Sequence, residues 1–198
     1  DWAVIYLVQA GLLEGLAVGR SNTIDCVWSP LGRSERGLAL KRILIATDGS
    51  ELAGKAVAEG IQLAEALGAH ITFLTVTSPL ATLGDQGTAF GGLPEAVRGQ
   101  ALAYLAADAD RTLSAALAEA KTAGVGADSL KLENRQPHEA ITAAAKSIGA
   151  DMILMASHGR SGIKAVLLGS VTQKVLTHSE LPVLVCRGAD QVASRSTA

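Results

Sequence analysis

An α/β fold, a doubly wound five-stranded parallel sheet with helices on both faces, is what the sequence predicts for residues 41–187 of its 198. Three observations lead there. Short apolar runs of strand length alternate with longer segments of helical period, the order that βαβ units impose. Aromatic residues are only 3% against 48% hydrophobic overall, so Ala, Val, Leu and Ile must fill the core. Glycines stand at the ends of the predicted helices (Gly68, Gly124, Gly149), where a left-handed residue closes a helix without a Cβ penalty.

Bulk charge narrows the partners. A formal net charge of -2 lacks the basic excess that binding to a polyanion requires, and scarce aromatics leave no stacking platform for single strands, so nucleic acid is not expected. Cys26 and Cys186 lie far apart without a CxxC pair, which points to a reducing, cytoplasmic setting and against a disulfide framework or zinc site. The four histidines have no metal-ligand spacing.

Residues 1–40 read differently from the rest. The apolar stretch Trp2–Val18 is interrupted by Gln9, Gly11, Glu14 and Gly15, which is costly for a membrane span, and no basic region precedes it as in a signal peptide. It is expected to be an extension that is not part of the fold; the alternative is an N-terminal helix packed on the domain or touching a membrane surface. Residues 188–198 are expected to be a flexible tail.

From Lys41 the elements follow in order. Arg42–Thr47 is a buried strand ended by Asp48-Gly49, and Ser50 is the N-cap of a helix with its stripe on Ala53, Ala56, Val57, Ile61, Ala64 and Leu67. His70–Thr77 is the second strand. Ser78–Leu93, with four glycines, is a loop long enough to be functional or mobile. A helix with Leu102, Leu105, Ala109, Leu113, Ala116, Leu117 and Ala120 on one face runs to Gly124. Ser129–Glu133 is the third strand, Pro137 opens a helix through Ile141, Ala144 and Ile148, and Asp151–Ala156 is a fully apolar fourth strand. A glycine-containing loop, a helix starting near Gly169-Ser170 and a last strand, Val183–Val185, complete the domain.

In doubly wound sheets a ligand sits beyond the C-terminal strand ends where strand order reverses. Two segments answer to that place: Thr47-Asp48-Gly49-Ser50, and Ala156-Ser157-His158-Gly159-Arg160-Ser161-Gly162 continuing to Leu168-Gly169-Ser170-Val171-Thr172. Gly159 and Gly169 allow close backbone approach, and a helix start offers N–H groups and a positive dipole end, the chemistry that holds phosphate. Ser170 and Thr172 add hydroxyls, and Asp48 can accept from a ribose or base. Each has a plainer reading: Ser170 as a cap of its own helix, Asp48-Gly49 as a turn, His158 as a loop histidine. The combination at two adjacent strand ends favours an anion or nucleotide site. No GxGxxG, Walker A loop or GxSxG elbow is present.

These segments resemble the universal stress protein family. Lys41–Ser50 is similar to its opening strand, Ala156–Gly162 with Leu168–Thr172 to its nucleotide-binding signature, and Ser179–Val185 to its last strand. The family's ATP-binding branch has Gly, two residues, Gly, nine residues, then Gly with Ser or Thr. Gly159, Gly169 and Ser170 match, and Ala156 stands in place of the first glycine. The resemblance implies a strand order 3-2-1-4-5 and ATP, with or without Mg2+, as ligand. It implies that Asp48 contacts the adenosine and that Ala46, Thr47, Val76 and Met155 frame the base. Ala156, His158, Gly159, Gly169, Ser170, Val171 and Thr172 would then surround ribose and phosphates. It also implies a homodimer through Pro182–Cys186, an apolar edge that invites covering. The implied role is a nucleotide-responsive stress regulator rather than an enzyme. Two alternatives stay open: slow ATP hydrolysis or autophosphorylation, with Ser161, Ser170 or Thr172 as acceptor and Arg160 offsetting charge, and a nucleotide-independent interaction module.

Overall fold

The structure is a computed structural model that describes residues 5–9, 12–16, 40–77, 95–159 and 168–187. Its elements are β1 (Ile5–Gln9), β2 (Leu12–Leu16), β3 (Arg42–Ala46), α1 (Glu51–Leu67), β4 (His70–Thr77), α2 (Glu95–Thr122), β5 (Ala127–Glu133), α3 (Pro137–Ser147), β6 (Met152–Ala156), α4 (Ser170–His178) and β7 (Val183–Cys186). One sheet runs β2-β1-β7-β6-β3-β4-β5. From β7 to β5 its five strands are all parallel, in the expected order 3-2-1-4-5 counted from β3.

Central strands flanked by helices on both sides must be apolar on both faces. β6 and β7 are buried at every residue, and β3 at Ile43, Leu44 and Ile45. Successive side chains point to opposite faces, which splits the core in two. Ile43, Ile45, Ile71, Phe73, Met152 and Leu154 pack with α1 and α2. Leu44, Leu74, Ile153, Met155, Val183 and Val185 pack with α3 and α4. Ser50 caps α1 by accepting from Ala53 N at 3.2 Å, and Gly68 closes it at φ 62°. At the N-terminal end of the sheet, Asp151 Oδ2 accepts from Lys41 N and Arg42 N, both at 2.8 Å, which fixes where β3 begins beside β6.

Two details differ from expectation. β5 starts at Ala127, two residues before Ser129, because its hydrogen bonds to β4 extend further than its own apolar residues do. In α2 the buried face begins at Ala109; Leu105 is 38% exposed. A helix of 28 residues spans about 42 Å, whereas an eight-residue strand covers about 26 Å, so the first turns overhang the sheet.

The largest difference lies at the N-terminus. Residues 5–9 and 12–16, expected to stand outside the fold or to form a helix, make a hairpin whose first strand pairs antiparallel with β7. The expected pairing of two copies through Pro182–Cys186 therefore has no open strand edge in this arrangement, since β7 lies between β6 and β1. The loop at 78–93, Arg160 and the tail at 188–198 fall outside the described residues. Among the described residues, no helix is long and apolar enough to cross a membrane.

Candidate functional site

β3 and β6 are neighbours in register, Ala46 opposite Met155, so the segments that follow them emerge side by side at the point where strand order reverses. Beyond β3 the chain is held tightly. Thr47 N donates to Leu74 O at 2.9 Å, and Thr75 Oγ1 donates to Thr47 O at 2.9 Å. Asp48, half-buried, accepts from Ser50 N through Oδ1 at 3.0 Å, and Gly49 turns the chain at φ 74°. A short polar side chain bonded to the backbone two residues on is the usual construction of such a turn. It leaves the carboxylate directed from the strand end toward the neighbouring segment.

That neighbour is Gly159. A Cβ built on Gly159 would run into Asp48 Oδ2 and lie 3.1 Å from Asp48 Cγ. The carboxylate thus rests on the Gly159 backbone at a place where a side chain on that residue would displace it. Gly169, the N-cap of α4, packs on the preceding residue: its own Cβ would lie 3.2 Å from His158 Cα and 3.3 Å from Ser157 O, and its N–H donates to Ser157 O at 2.7 Å. Asp48 and the start of α4 therefore lie against consecutive residues, Gly159 and His158. The cap supplies no side-chain acceptor to the helix. The first-turn N–H groups of Ser170, Val171 and Thr172 have no acceptor in the preceding turn of their own helix, and the dipole's positive end lies there.

The remaining expected residues occupy these positions. Ala46 and Val76 are half-buried and pack on the cluster that contains Met155, which is 6% exposed. Ala156 closes β6 opposite Cys186, with its methyl accommodated in the core on the α1 side. Ser170 is exposed and Val171 half-buried. Thr172 is used differently from expectation. Its hydroxyl, 2% exposed as a residue, donates to Ala156 O at 3.0 Å, so it locks α4 to the end of β6 instead of offering a free donor.

Ser157 is the residue that the sequence reading passed over. It is fully buried; its N–H donates to Cys186 O at 2.8 Å, its carbonyl receives Gly169 N, and its Oγ lies 3.2 Å from His158 Nδ1. One side chain and its backbone tie β6, β7, the loop and α4 together. The available signal was a polar residue directly after a fully apolar strand. Among the described residues no cluster of three or more His, Cys, Asp or Glu side chains could hold a metal ion.

Known proteins share the family and the fold. The universal stress protein family model matches residues 39–187. The universal stress protein YxiE of Bacillus subtilis is 30% identical over 146 residues, covering 74% of this chain and 98% of its own length. A universal stress protein of Methanocaldococcus jannaschii is 49% identical over a shorter stretch of 51 residues, 26% of this chain and 32% of its own. Among solved structures, UspA of Lactobacillus plantarum shares the fold at TM-score 0.62 and 24% identity, covering 75% of this chain and 98% of its own. A universal stress protein in complex with cAMP superposes at TM-score 0.52 with 26% identity, over 74% of this chain and 95% of its own. With a family match that spans the whole parallel-sheet unit, this chain belongs to the universal stress protein family.

Proposed function

We propose that the chain binds an adenine nucleotide, ATP with its magnesium, in the crevice at the C-terminal ends of β3 and β6, and acts in the cytoplasm as a nucleotide-responsive stress regulator. The observation that carries this reading is the meeting of the Asp48 carboxylate with Gly159, one residue from the backbone on which the α4 N-cap rests. A carboxylate suits the hydroxyls of a ribose. A helix start without a side-chain cap suits a phosphate, which takes up the first-turn N–H groups and the positive end of the dipole. The two together match the two ends of one nucleotide. A related protein with 26% identity was solved with cAMP, which supports an adenine nucleotide as the class of ligand.

In this reading Ala46, Thr47, Val76 and Met155 frame the adenine, and Asp48 accepts from the ribose. Ala156, His158, Gly159 and Arg160 border the sugar and first phosphate. Gly169, Ser170, Val171 and Thr172 bring the helix start to the phosphates. Thr172 contributes its backbone while its hydroxyl holds Ala156 O. Among the described residues no group of three or more His, Cys, Asp or Glu could hold a metal ion, so magnesium would enter on the phosphate oxygens, which is how this ion commonly binds in nucleotide sites. A response to nucleotide follows if two states of the chain differ in affinity for it, because a ligand shifts populations only by that difference.

Calorimetric titration of the full chain with ATP, AMP and cAMP tests the proposal. A single saturable site is expected, with ATP the tightest because its added phosphates reach the helix start. No heat and no saturation at millimolar nucleotide would refute it.

A further inference from the structure

The two ends of the seven-stranded sheet are built on opposite principles. At one end β5 is a charged strand: Asp128, Lys131 and Glu133 are exposed, Lys131 pairs with Asp110 on α2, and His70 Nε2 lies 2.9 Å from Asp128. Charges of this kind keep a free edge from pairing with other strands. Toward the other end, Val183–Cys186 is an uncharged strand buried at all four residues. Left open, its row of N–H and C=O groups would be a template for another strand, and a second copy of the same strand can meet it about a twofold axis.

The structure fills that edge from within. Tyr6, Leu7 and Val8 lie opposite Val185, Leu184 and Val183 in antiparallel register, and β2 covers β1 from Ile5↔Leu16 to Gln9↔Leu12. Among the described strands these are the antiparallel pairings; every other pair belongs to the parallel βαβ unit. The hairpin therefore lies outside the winding of the domain, joined to it by the chain between Leu16 and Leu40. That chain can reach on the order of 75 Å when extended, while four strand spacings separate β2 from β3, about 19 Å. The tether is long enough for the hairpin both to dock and to leave.

We propose that the hairpin of residues 5–16 is a tethered cap on the β7 edge, and that it keeps the chain monomeric there by excluding the β7 strand of a second copy. A strand joined to its docking site through the same chain acts at an effective concentration of about 1 mM, so a free copy at about 10 μM competes at roughly a 100-fold disadvantage. Release of the cap exposes the apolar edge and converts monomer to dimer.

Sedimentation velocity of the full chain and of its Leu7→Pro/Val8→Pro variant tests this. Adjacent residues in a strand send their N–H groups to opposite neighbours, so one of the two prolines removes a donor to β7. The wild type is expected to sediment as a monomer. The variant is expected to dimerise at least about 100-fold more tightly and to return to monomer when a peptide of residues 1–18 is added. A dimeric wild type, or a variant that stays monomeric with its helical circular dichroism intact, overturns the proposal. Should the variant lose its fold, a second measurement decides. Oxidation of Leu7→Cys/Leu184→Cys, in a Cys26→Ser/Cys186→Ala background, is expected to give an intrachain disulfide in a monomer, since opposed Cα atoms in antiparallel strands are within bridging range. An interchain bridge, or none, contradicts the cap.

Discussion

Replacing Gly159 with alanine probes the site through one atom. The new Cβ would come to rest against Asp48 Oδ2 and 3.1 Å from Cγ, while Oδ1 is bound by Ser50 N at 3.0 Å. Relief requires the carboxylate to rotate out of the crevice and give up the Ser50 bond. For a partly exposed group that loss is worth about 1 kcal/mol, or about 2–4 °C in melting temperature for a chain of this size. Nucleotide affinity suffers more. A hydrogen bond from ribose to a charged acceptor contributes about 1.5–3 kcal/mol, so binding should weaken about 10- to 150-fold. Titration of wild type, Gly159→Ala, Asp48→Ala and the double variant forms a thermodynamic cycle. If the methyl acts by displacing the carboxylate, it has nothing left to displace once Asp48 is alanine, and the double variant binds like Asp48→Ala alone. Fully additive losses would refute this reasoning, because the two residues would then act on the ligand independently.

Further consequences follow from other contacts. Thr172→Val keeps the shape of the side chain but leaves Ala156 O without its 3.0 Å donor in a buried place, so denaturant unfolding should show a loss of about 1–3 kcal/mol. Asp151→Ala removes the acceptor of Lys41 N and Arg42 N at the sheet end remote from the crevice; it should cost about 1–2 kcal/mol and leave nucleotide affinity unchanged. Burial first, then a hydrogen bond and charge repulsion from Glu59, push the Cys186 thiol well above its usual 9.0. In a Cys26→Ser background it should therefore resist thiol reagents until the protein unfolds. Above pH 9.0 the unfolded chain gives up this proton and the folded chain keeps it, so stability should fall by up to about 1.4 kcal/mol per pH unit. Cys186→Ala should lack that component of the alkaline slope.

What the sequence made legible was whatever is encoded locally. Continuous apolar runs at Ile43–Ile45 and Met152–Ala156 could only be central strands of a covered sheet. Ser50 and Gly68 marked the ends of α1 because caps are set by side chains within one turn. Asp48, Gly159 and Gly169 were readable as a group because chain order and the crossover rule put the ends of β3 and β6 together. Where tertiary contacts decide, the reading failed. The part of Thr172 depends on whether the last carbonyl of β6 needs a donor, which no local pattern reveals. The start of β5 is set by hydrogen bonds to β4, since Asp128 and Ser129 show no strand alternation of their own. The exposure of Leu105 follows from the length of α2 against the strands it covers. Leu12-Leu13-Glu14-Gly15-Leu16 has no strand period, so its pairing with β1, and through it with β7, is a long-range event that no local pattern encodes.

The central claim is that Asp48 and the start of α4 hold the two ends of one nucleotide, and a crystal structure of the full chain grown with ATP and magnesium tests it most directly. The account predicts ribose oxygens within hydrogen-bond distance of the Asp48 carboxylate and phosphate oxygens against the N–H groups of Ser170, Val171 and Thr172. A nucleotide bound elsewhere, or a crevice between Asp48 and Gly169 closed by protein side chains with ATP in excess, would contradict it.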